Sequence, residues 1–291
     1  MTDLSISIVS YNVKERLRAC LDSVYSDTTG LACEIFVVDN NSGDGTAAML
    51  EKDFPRVTLI RNETNQGYAK ANNAAISRSA GAFVLVLNPD TIVLPGALAA
   101  LVGSMRKDPG IGVCGPKIYN PDMTLQGSGE RYPTFLYSLL RLLYVHALFP
   151  RNPVRSRILY SGWDRATRRD VDALNGACLM VRKEAIARAG QLDGNFRLYF
   201  EEVDWCRRIR SAGWRVCFLP EAEIIHYGGQ SSGQMARERI DGIFNESCLY
   251  YHRKYSGYAA YLALKITLNC FTLPAAKVRR WAACGLKTGR K

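Results

Sequence analysis

Phe83-Val84-Leu85-Val86-Leu87 runs directly into Asn88-Pro89-Asp90. Five consecutive β-formers without polar alternation predict a central strand buried on both faces. Pro89 has no amide hydrogen to give to a ladder, so the strand ends before it. Asp90 then stands at the carboxyl edge of a buried sheet, where open α/β sheets bind their ligands. Aspartate is also a common helix cap, so this carboxylate alone decides little. A second acidic cluster, Glu201-Glu202-Val203-Asp204-Trp205, follows the apolar and aromatic stretch from Phe196 to Phe200. Two separated carboxylate clusters, each ending an apolar run, point to metal-assisted group transfer.

Upstream of Phe83, short apolar runs alternate with helical patterns. Ile6 to Tyr11 reads as a strand, about Lys14 to Val24 as a helix, and Glu34 to Asp39 as the next strand. Asn40 to Gly45 is a turn-rich loop, Thr46 to Lys52 a helix, Val57 to Ile60 a strand and Gly67 to Ser79 a helix. This βαβαβαβ order predicts a largely parallel sheet with right-handed crossovers. A dinucleotide fold would place GxGxxG after the first strand, but Ser10-Tyr11-Asn12 stands there, and no P-loop is present. Asp39 ends the second strand, suited to a ribose hydroxyl or a base imide, while Gly43 to Thr46 read as a turn and helix cap. Asn65-Gln66-Gly67-Tyr68 and Asn72-Asn73 put neutral amides at and inside a helix start. Asparagine is a poor helix former, so these are expected to face a polar site. His226 follows the strand-like Ile224-Ile225 and is a candidate diphosphate or metal contact; His146 and His252 receive no role.

The net charge of +11 is unevenly spread. Residues 131–169 carry eight basic side chains and one acidic, and residues 252–291 carry nine and none, whereas the remainder is slightly acidic. The basic segments are also rich in aromatics and leucine, which favours an anionic membrane surface over nucleic acid. From Phe135 to Phe149, 12 of 15 residues are apolar or aromatic, fewer than the roughly 20 needed to span a bilayer. That run either lies in the interface, with Arg151, Arg155 and Arg157 on lipid phosphates, or packs as a buried helix on the sheet. Tyr258 to Leu273 reads as a surface-lying or marginal membrane helix. The nine cysteines show no CxxC pair and read as small buried hydrophobes of a reducing compartment. Met1-Thr2-Asp3 leads straight into a strand without a secretory leader, so a cytosolic protein is expected.

Together, Ser10-Tyr11-Asn12, Val37 to Ser42 with Asp44-Gly45-Thr46, Asn65 to Tyr68 with Asn72-Asn73, and Leu87 to Thr91 resemble family 2 glycosyltransferases of the GT-A fold. Asn175 to Arg182, Phe200 to Arg208, and Pro220 with His226 and Gly228 resemble their rhamnosyltransferase-type branch. The resemblance runs in unbroken order over roughly residues 5–255. It implies an α/β fold of GT-A type, with a Rossmann-like, mostly parallel central sheet flanked by helices and a helical basic C-terminal extension. Residues 1–120 would bind the nucleotide sugar, 121–250 the acceptor, and 251–291 would form an amphipathic tail. Asn88-Pro89-Asp90 stands where such enzymes carry their metal-binding Asp-x-Asp motif, so Asp90, with His226, would hold Mg2+ or Mn2+ on the donor diphosphate. Asn88 replaces a carboxylate found in many relatives. Glu202 occupies the position of the catalytic base, commonly Asp in the family, and implies inversion.

Ser10, Tyr11, Asn12, Asp39, Asn65, Gly67, Tyr68, Asn72, Asn88 and Asp90 are thus the expected donor contacts. Gly176, Glu201, Asp204 and Trp205 are the expected acceptor contacts. The implied partners are a dTDP- or UDP-sugar, a glycan or polyprenyl-diphosphate-linked acceptor, and the inner face of an anionic membrane, with no nucleic acid; a homodimer is compatible with the sequence. Two rival readings are a sugar-nucleotide nucleotidyltransferase, which would need a Gly-rich, Arg-containing loop after the first strand, and a non-catalytic binding protein that kept the fold.

Overall fold

The computed structural model describes residues 2–28, 30–229 and 237–272. Five strands precede residue 94: β1 (Leu4–Ser10), β2 (Cys33–Asp39), β3 (Thr58–Arg61), β4 (Phe83–Leu87) and β5 (Thr91–Val93). Between them lie α1 (Lys14–Asp27), α2 (Thr46–Asp53) and α3 (Tyr68–Ile76), so the expected alternation holds to within a few residues. After α4 (Ala97–Lys107) come β6 (Ile111–Tyr119), β7 (Leu125–Gln126), α5 (Phe135–Leu142), α6 (Val145–Leu148), α7 (Pro153–Ile158) and β8 (Arg169–Asp170). The chain continues through β9 (Cys178–Arg182), α8 (Lys183–Ala189), α9 (Glu201–Ser211), β10 (Arg215–His226), α10 (Arg237–Tyr255), α11 (Gly257–Thr267) and a π-helical segment, Leu268–Thr272.

One ten-stranded sheet runs in the order β3-β2-β1-β4-β9-β6-β10-β5, with β7 on β6 and β8 on β10. Six strands point the same way: β1 to β4, as the alternation predicts, and also β6 and β10. The others, β5, β7, β8 and β9, run antiparallel to their neighbours. Strand β4 is buried throughout because the sheet is covered on both sides. Phe83, Leu85 and Leu87 face one core with α1, α2 and α4, while Val84 and Val86 face a second with α3, α8 and α9. The period of two thus splits an all-apolar run between two cores.

Phe135 to Phe149 is neither the continuous interfacial helix nor the buried one expected. Tyr144, at φ 60°, breaks it into α5 and α6. Ser138 and Leu142 are buried on α5, while Leu136, Leu148 and Phe149 remain exposed. The described part of the tail expectation, Tyr258–Thr272, is helical; residues 273–291 lie outside the described residues.

Candidate active site

Strand register gathers the candidate residues at one edge of the sheet. Ser10 pairs with Asp39, and Ile8 with both Val37 and Leu87, so Ser10-Tyr11-Asn12, Asp39-Asn40 and Asn88-Pro89-Asp90 emerge side by side. The antiparallel pairing of β5 with β10 sets His226 opposite Thr91, next to Asp90. There the Tyr227 amide donates to the Asp90 carbonyl at 3.0 Å. His226 Nε2 lies 3.3 Å from Asp90 Oδ1 and 3.2 Å from Asn88 Nδ2.

Gln126, from the short strand β7, decides the chemistry of that imidazole. Its Nε2 donates to Asn120 Oδ1 at 2.9 Å and to the His226 carbonyl at 3.3 Å. That leaves Gln126 Oε1 to accept from His226 Nδ1 at 2.7 Å. With the proton assigned to Nδ1 by this network, Nε2 is an acceptor, which the Asn88 Nδ2 amide reaches at 3.2 Å, with Asp90 Oδ1 3.3 Å away. An imidazole nitrogen and a carboxylate oxygen 3.3 Å apart could share a divalent cation if Asn88 turned aside, and the Gln126 amide behind the imidazole is the usual support of a metal-bound histidine. Among the described residues no group of three or more His, Cys, Asp or Glu side chains is arranged to hold a metal. A single carboxylate such as Asp90, with phosphate and water completing the shell, is a common arrangement for Mg2+ at phosphate sites.

The loops around this edge are stitched by amides. Asn40 Oδ1 accepts from Asn62 Nδ2 at 2.9 Å and the Gln66 amide at 3.0 Å, and Asn40 Nδ2 donates to Asn65 Oδ1 at 3.0 Å. Asn65 also takes the Gly67 amide at 3.0 Å, so it shapes the loop entering α3. Gly67 sits at φ +79°, and a Cβ there would come 3.1 Å from the Arg197 carbonyl, so both backbone and space demand glycine. Asn12, at φ 52°, accepts the Gly43 amide at 2.7 Å through Oδ1. Asp39 Oδ1 holds the Ser42 amide at 3.2 Å. Asp44 Oδ1 accepts from the Thr46 amide and hydroxyl and so ties the turn to the start of α2, whose N-cap position is Gly45.

The mid-helix asparagines do not face a ligand. Asn72 is fully buried, accepts from Ser7 Oγ at 2.7 Å and donates to the Tyr68 carbonyl at 3.1 Å. Asn73 clamps the Leu192 backbone from both sides, at 2.8 and 3.1 Å. Each satisfies a buried polar group that would otherwise be costly, which explains poor helix formers at these positions without a ligand.

The second carboxylate cluster is carried by α9. Tyr199 and Phe200 both sit near φ 70°, an uncommon conformation for aromatic residues. Phe200 is held there by packing with Phe196, Cys248 and Tyr251. The turn delivers Glu201 and Glu202 into the first helical turn, where the helix dipole favours carboxylates. Glu202 is partly accessible, yet its apolar surroundings, reinforced by the nearby Glu130 carboxylate, push its carboxyl up to about 7. Glu201 is buried, with Oε2 unpaired; desolvation and the facing Glu202 hold its carboxyl well above the usual range. Burial and mutual repulsion therefore bias both carboxyls toward the protonated form and oppose their ionising together.

Asp204 and Trp205, expected at the acceptor, are both fully buried and face inward. Asp204 Oδ2 pairs with Arg208 Nε at 2.7 Å, and Oδ1 with Lys254 Nζ at 2.7 Å and Tyr255 Oη at 2.6 Å. Trp205 Nε1 donates to the Gly190 carbonyl at 2.8 Å within the second core. Direct acceptor contact is closed to both; they hold α9 in place.

The two acidic clusters meet through β9. The Asn88 amide donates to the Ala177 carbonyl at 2.9 Å. The neighbouring Gly176 faces the Glu202 side chain, so that a Cβ built on Gly176 would lie 3.5 Å from Glu202 Cβ. Tyr68 Oη donates to the Gly176 carbonyl at 2.8 Å. Its hydroxyl is raised far above its ordinary range by burial and then by Glu201, Glu202 and, more weakly, Asp90. Tyr68 thus stands between the cation-ready edge and the raised carboxylate. Gln126 and Glu130, with Lys254 and Tyr255 behind Asp204, escaped the sequence reading. Their proximity arises from strand register and helix docking, and no motif or period announces it.

Comparison with known proteins bears on what a chain with this sheet edge and acidic helix does. The family described as Glycosyl transferase family 2 matches residues 5–188. An N-acetylglucosaminyl-diphospho-decaprenol L-rhamnosyltransferase of Mycobacterium tuberculosis is 28% identical over 270 residues, covering 89% of this chain and 87% of that protein. The low-salt glycan biosynthesis hexosyltransferase Agl10 of Haloferax volcanii is 27% identical over 230 residues, covering 78% of this chain and 67% of that one. Among solved structures, S. aureus TarS residues 1–349 superpose with a TM-score of 0.55 at 16% identity, covering 88% of this chain and 73% of that one. GalNAc-T7, crystallised with UDP, GalNAc and Mn2+, superposes with a TM-score of 0.57 at 17% identity, covering 78% of this chain and 44% of that longer one. These superpositions establish a shared GT-A-like fold. With the sheet edge, the acidic helix and the family match in agreement, the chain belongs to glycosyl transferase family 2 and is a glycosyltransferase.

Proposed function

We propose that this enzyme is an inverting transferase that moves a hexose, rhamnose foremost, from a dTDP- or UDP-sugar to a lipid-linked or cell-surface glycan acceptor. The observation that carries the reading is the bridge through Asn88, Ala177 and Gly176, which links Glu202 to the edge where Asp90 and His226 lie 3.3 Å apart. The similarity to a rhamnosyltransferase acting on a diphospho-decaprenol-linked sugar supports the choice of sugar and acceptor. A cytoplasmic enzyme at the inner face of the membrane would meet both the soluble donor and such an acceptor.

In this reading the Glu202 carboxylate takes the proton of the acceptor hydroxyl as its oxygen forms a bond to the anomeric carbon. The bond from that carbon to the diphosphate oxygen breaks, and the nucleoside diphosphate leaves. A single displacement with one base inverts the anomeric centre. Asp90 and His226 would hold Mg2+ or Mn2+, which would supply charge neutralisation at the leaving diphosphate. Asp39 and Asn12 shape the nucleoside end, Tyr68 and Gly176 the floor between donor and acceptor, and buried Glu201 limits the charge beside the base.

The test is transfer from a panel of dTDP- and UDP-sugars to a polyprenyl-diphosphate-linked acceptor with Mn2+ or Mg2+, reading product configuration by NMR. Transfer with inversion is expected. Retention, or transfer by Asp90→Ala with chelator present at close to the rate of the untreated wild type, would overturn it.

A further inference from the structure

The two basic, apolar segments separated by about a hundred residues of sequence come together in space. Helix α11 packs against both α10 and α5. His252 Nε2 and Ser138 Oγ lie 2.8 Å apart at one end of that junction, and Thr272 Oγ1 donates to the Leu142 carbonyl at 2.8 Å at the other. The second bond sets Phe271 beside the turn from α5 into α6.

This assembly leaves large apolar side chains in solvent. On α11, Tyr258, Leu262 and Ile266 recur every four residues as one stripe, 67%, 42% and 51% exposed. Phe271 is 60% exposed, and Leu148 and Phe149 at the end of α6 are 66% and 64% exposed. The segments that carry them hold charge of one sign, although α10, packed on α11, bears Glu238, Asp241 and Glu246. Arg151, Arg157 and Lys265 are exposed nearby in sequence, and no Asp or Glu occurs in residues 131–163 or after Glu246. The chain after Thr272 adds six Lys and Arg and no acid.

We infer that α5, α6 and α11 form a single platform that lies on an anionic bilayer, with its apolar side chains in the acyl boundary and its basic ones on lipid phosphates. A second copy of this chain is disfavoured as the occupant, because it would bring like charge against like. No helix among the described residues is long and apolar enough to cross a membrane, so the contact is with the interface, as for amphipathic anchors. The inference deepens the reading of a lipid-linked acceptor and rests on it for its purpose. The chain places the platform towards the cleft, since only residues 131–134 separate Glu130, whose charge reaches Glu202, from the start of α5. An acceptor sugar could then reach the base while its lipid stays in the leaflet.

Co-sedimentation of the full chain with vesicles of phosphatidylcholine alone, or mixed with phosphatidylglycerol, tests this. The wild type should bind the mixed vesicles, less as salt rises. Leu262→Glu with Ile266→Glu, and separately Leu148→Glu with Phe149→Glu, should each lower binding about tenfold or more. Thermal midpoint and transfer to a water-soluble acceptor should stay unchanged, because these side chains are already exposed. Loss with one pair only would overturn the single platform. Wild-type binding that neither pair alters would overturn the site. A dimer in lipid-free sedimentation that these variants dissociate, without vesicle binding, would make the surface a contact between copies. Vesicle binding by a protein that transfers no sugar would instead defeat the functional reading while leaving the platform standing.

Discussion

At the scale of single residues, Glu202 illustrates how surroundings convert an ordinary carboxylate into a base. Its carboxyl is held at about 7 by burial and by Glu130, so the ionised, proton-accepting form grows as pH rises through neutrality. The donor-saturated rate should therefore climb with pH up to a limb near 7, read from a rate profile between pH 5 and 9. Glu202→Gln should keep donor affinity, measured by calorimetry, and lose about 10²- to 10⁴-fold in rate. A matching loss of donor affinity would move Glu202 to a binding role. Gln126 acts one step back, through His226. Gln126→Ala frees the imidazole to adopt the other tautomer and should weaken Mn2+ binding in the presence of nucleoside diphosphate by about 10- to 100-fold. Titration of Mn2+ by calorimetry gives the answer, and unchanged affinity would remove His226 from the cation site.

At the scale of elements, α9 is the part that must not move. Its entry is fixed by consecutive positive-φ aromatics, and its body by the Asp204 knot that joins it to α10. Lys254 also pairs with Asp193 Oδ2 at 2.7 Å, so one ammonium ties the loop before α9 to the helix itself. Asp204→Ala removes the carboxylate that Arg208, Lys254 and Tyr255 share, and breaking such a buried pair costs about 3–5 kcal/mol. Urea unfolding should show a loss of that order, comparable to the roughly 2–5 kcal/mol of a buried Leu85→Ala. A change below about 0.5 kcal/mol would mean that the knot is no more than a surface ion pair. In the sequence Asp204 looked like part of an acceptor motif, because a motif records which residues travel together and not which way they face.

At the scale of the whole molecule, ionisation shapes stability in two separate windows. Despite opposing burial, hydrogen bonds from Lys254 and the Asn195 amide hold Asp193 down at about 2, below its ordinary 3.8. Its contribution is present above 3.8 and is lost as pH falls towards 2. Glu202 works in the reverse sense: the fold binds its proton more tightly than the unfolded chain does. Stability is therefore undiminished below about 4.5 and erodes as pH rises to about 7. Denaturant unfolding across pH 4–8 should show this decline in the wild type and a flatter profile in Glu202→Gln. Parallel profiles would place the Glu202 carboxyl at its ordinary value.

The apolar run before Asn88-Pro89-Asp90, the alternation upstream of it and the acidic cluster after Phe200 were enough to define the α/β sheet and to single out the two carboxylate clusters of the candidate site. Periodicity and proline are local properties of a chain, and a strand terminus is a local event. Three things were settled only by folding: the reversed strand β9 that carries Gly176 to Glu202, the inward turn of Asn72, Asp204 and Trp205, and the recruitment of Gln126 and Glu130. Each depends on register between segments far apart in sequence, and on which face a residue presents once the helices dock. The energy of burying a polar group is paid or recovered there, where the chain meets itself, and no residue's own neighbours in sequence encode it.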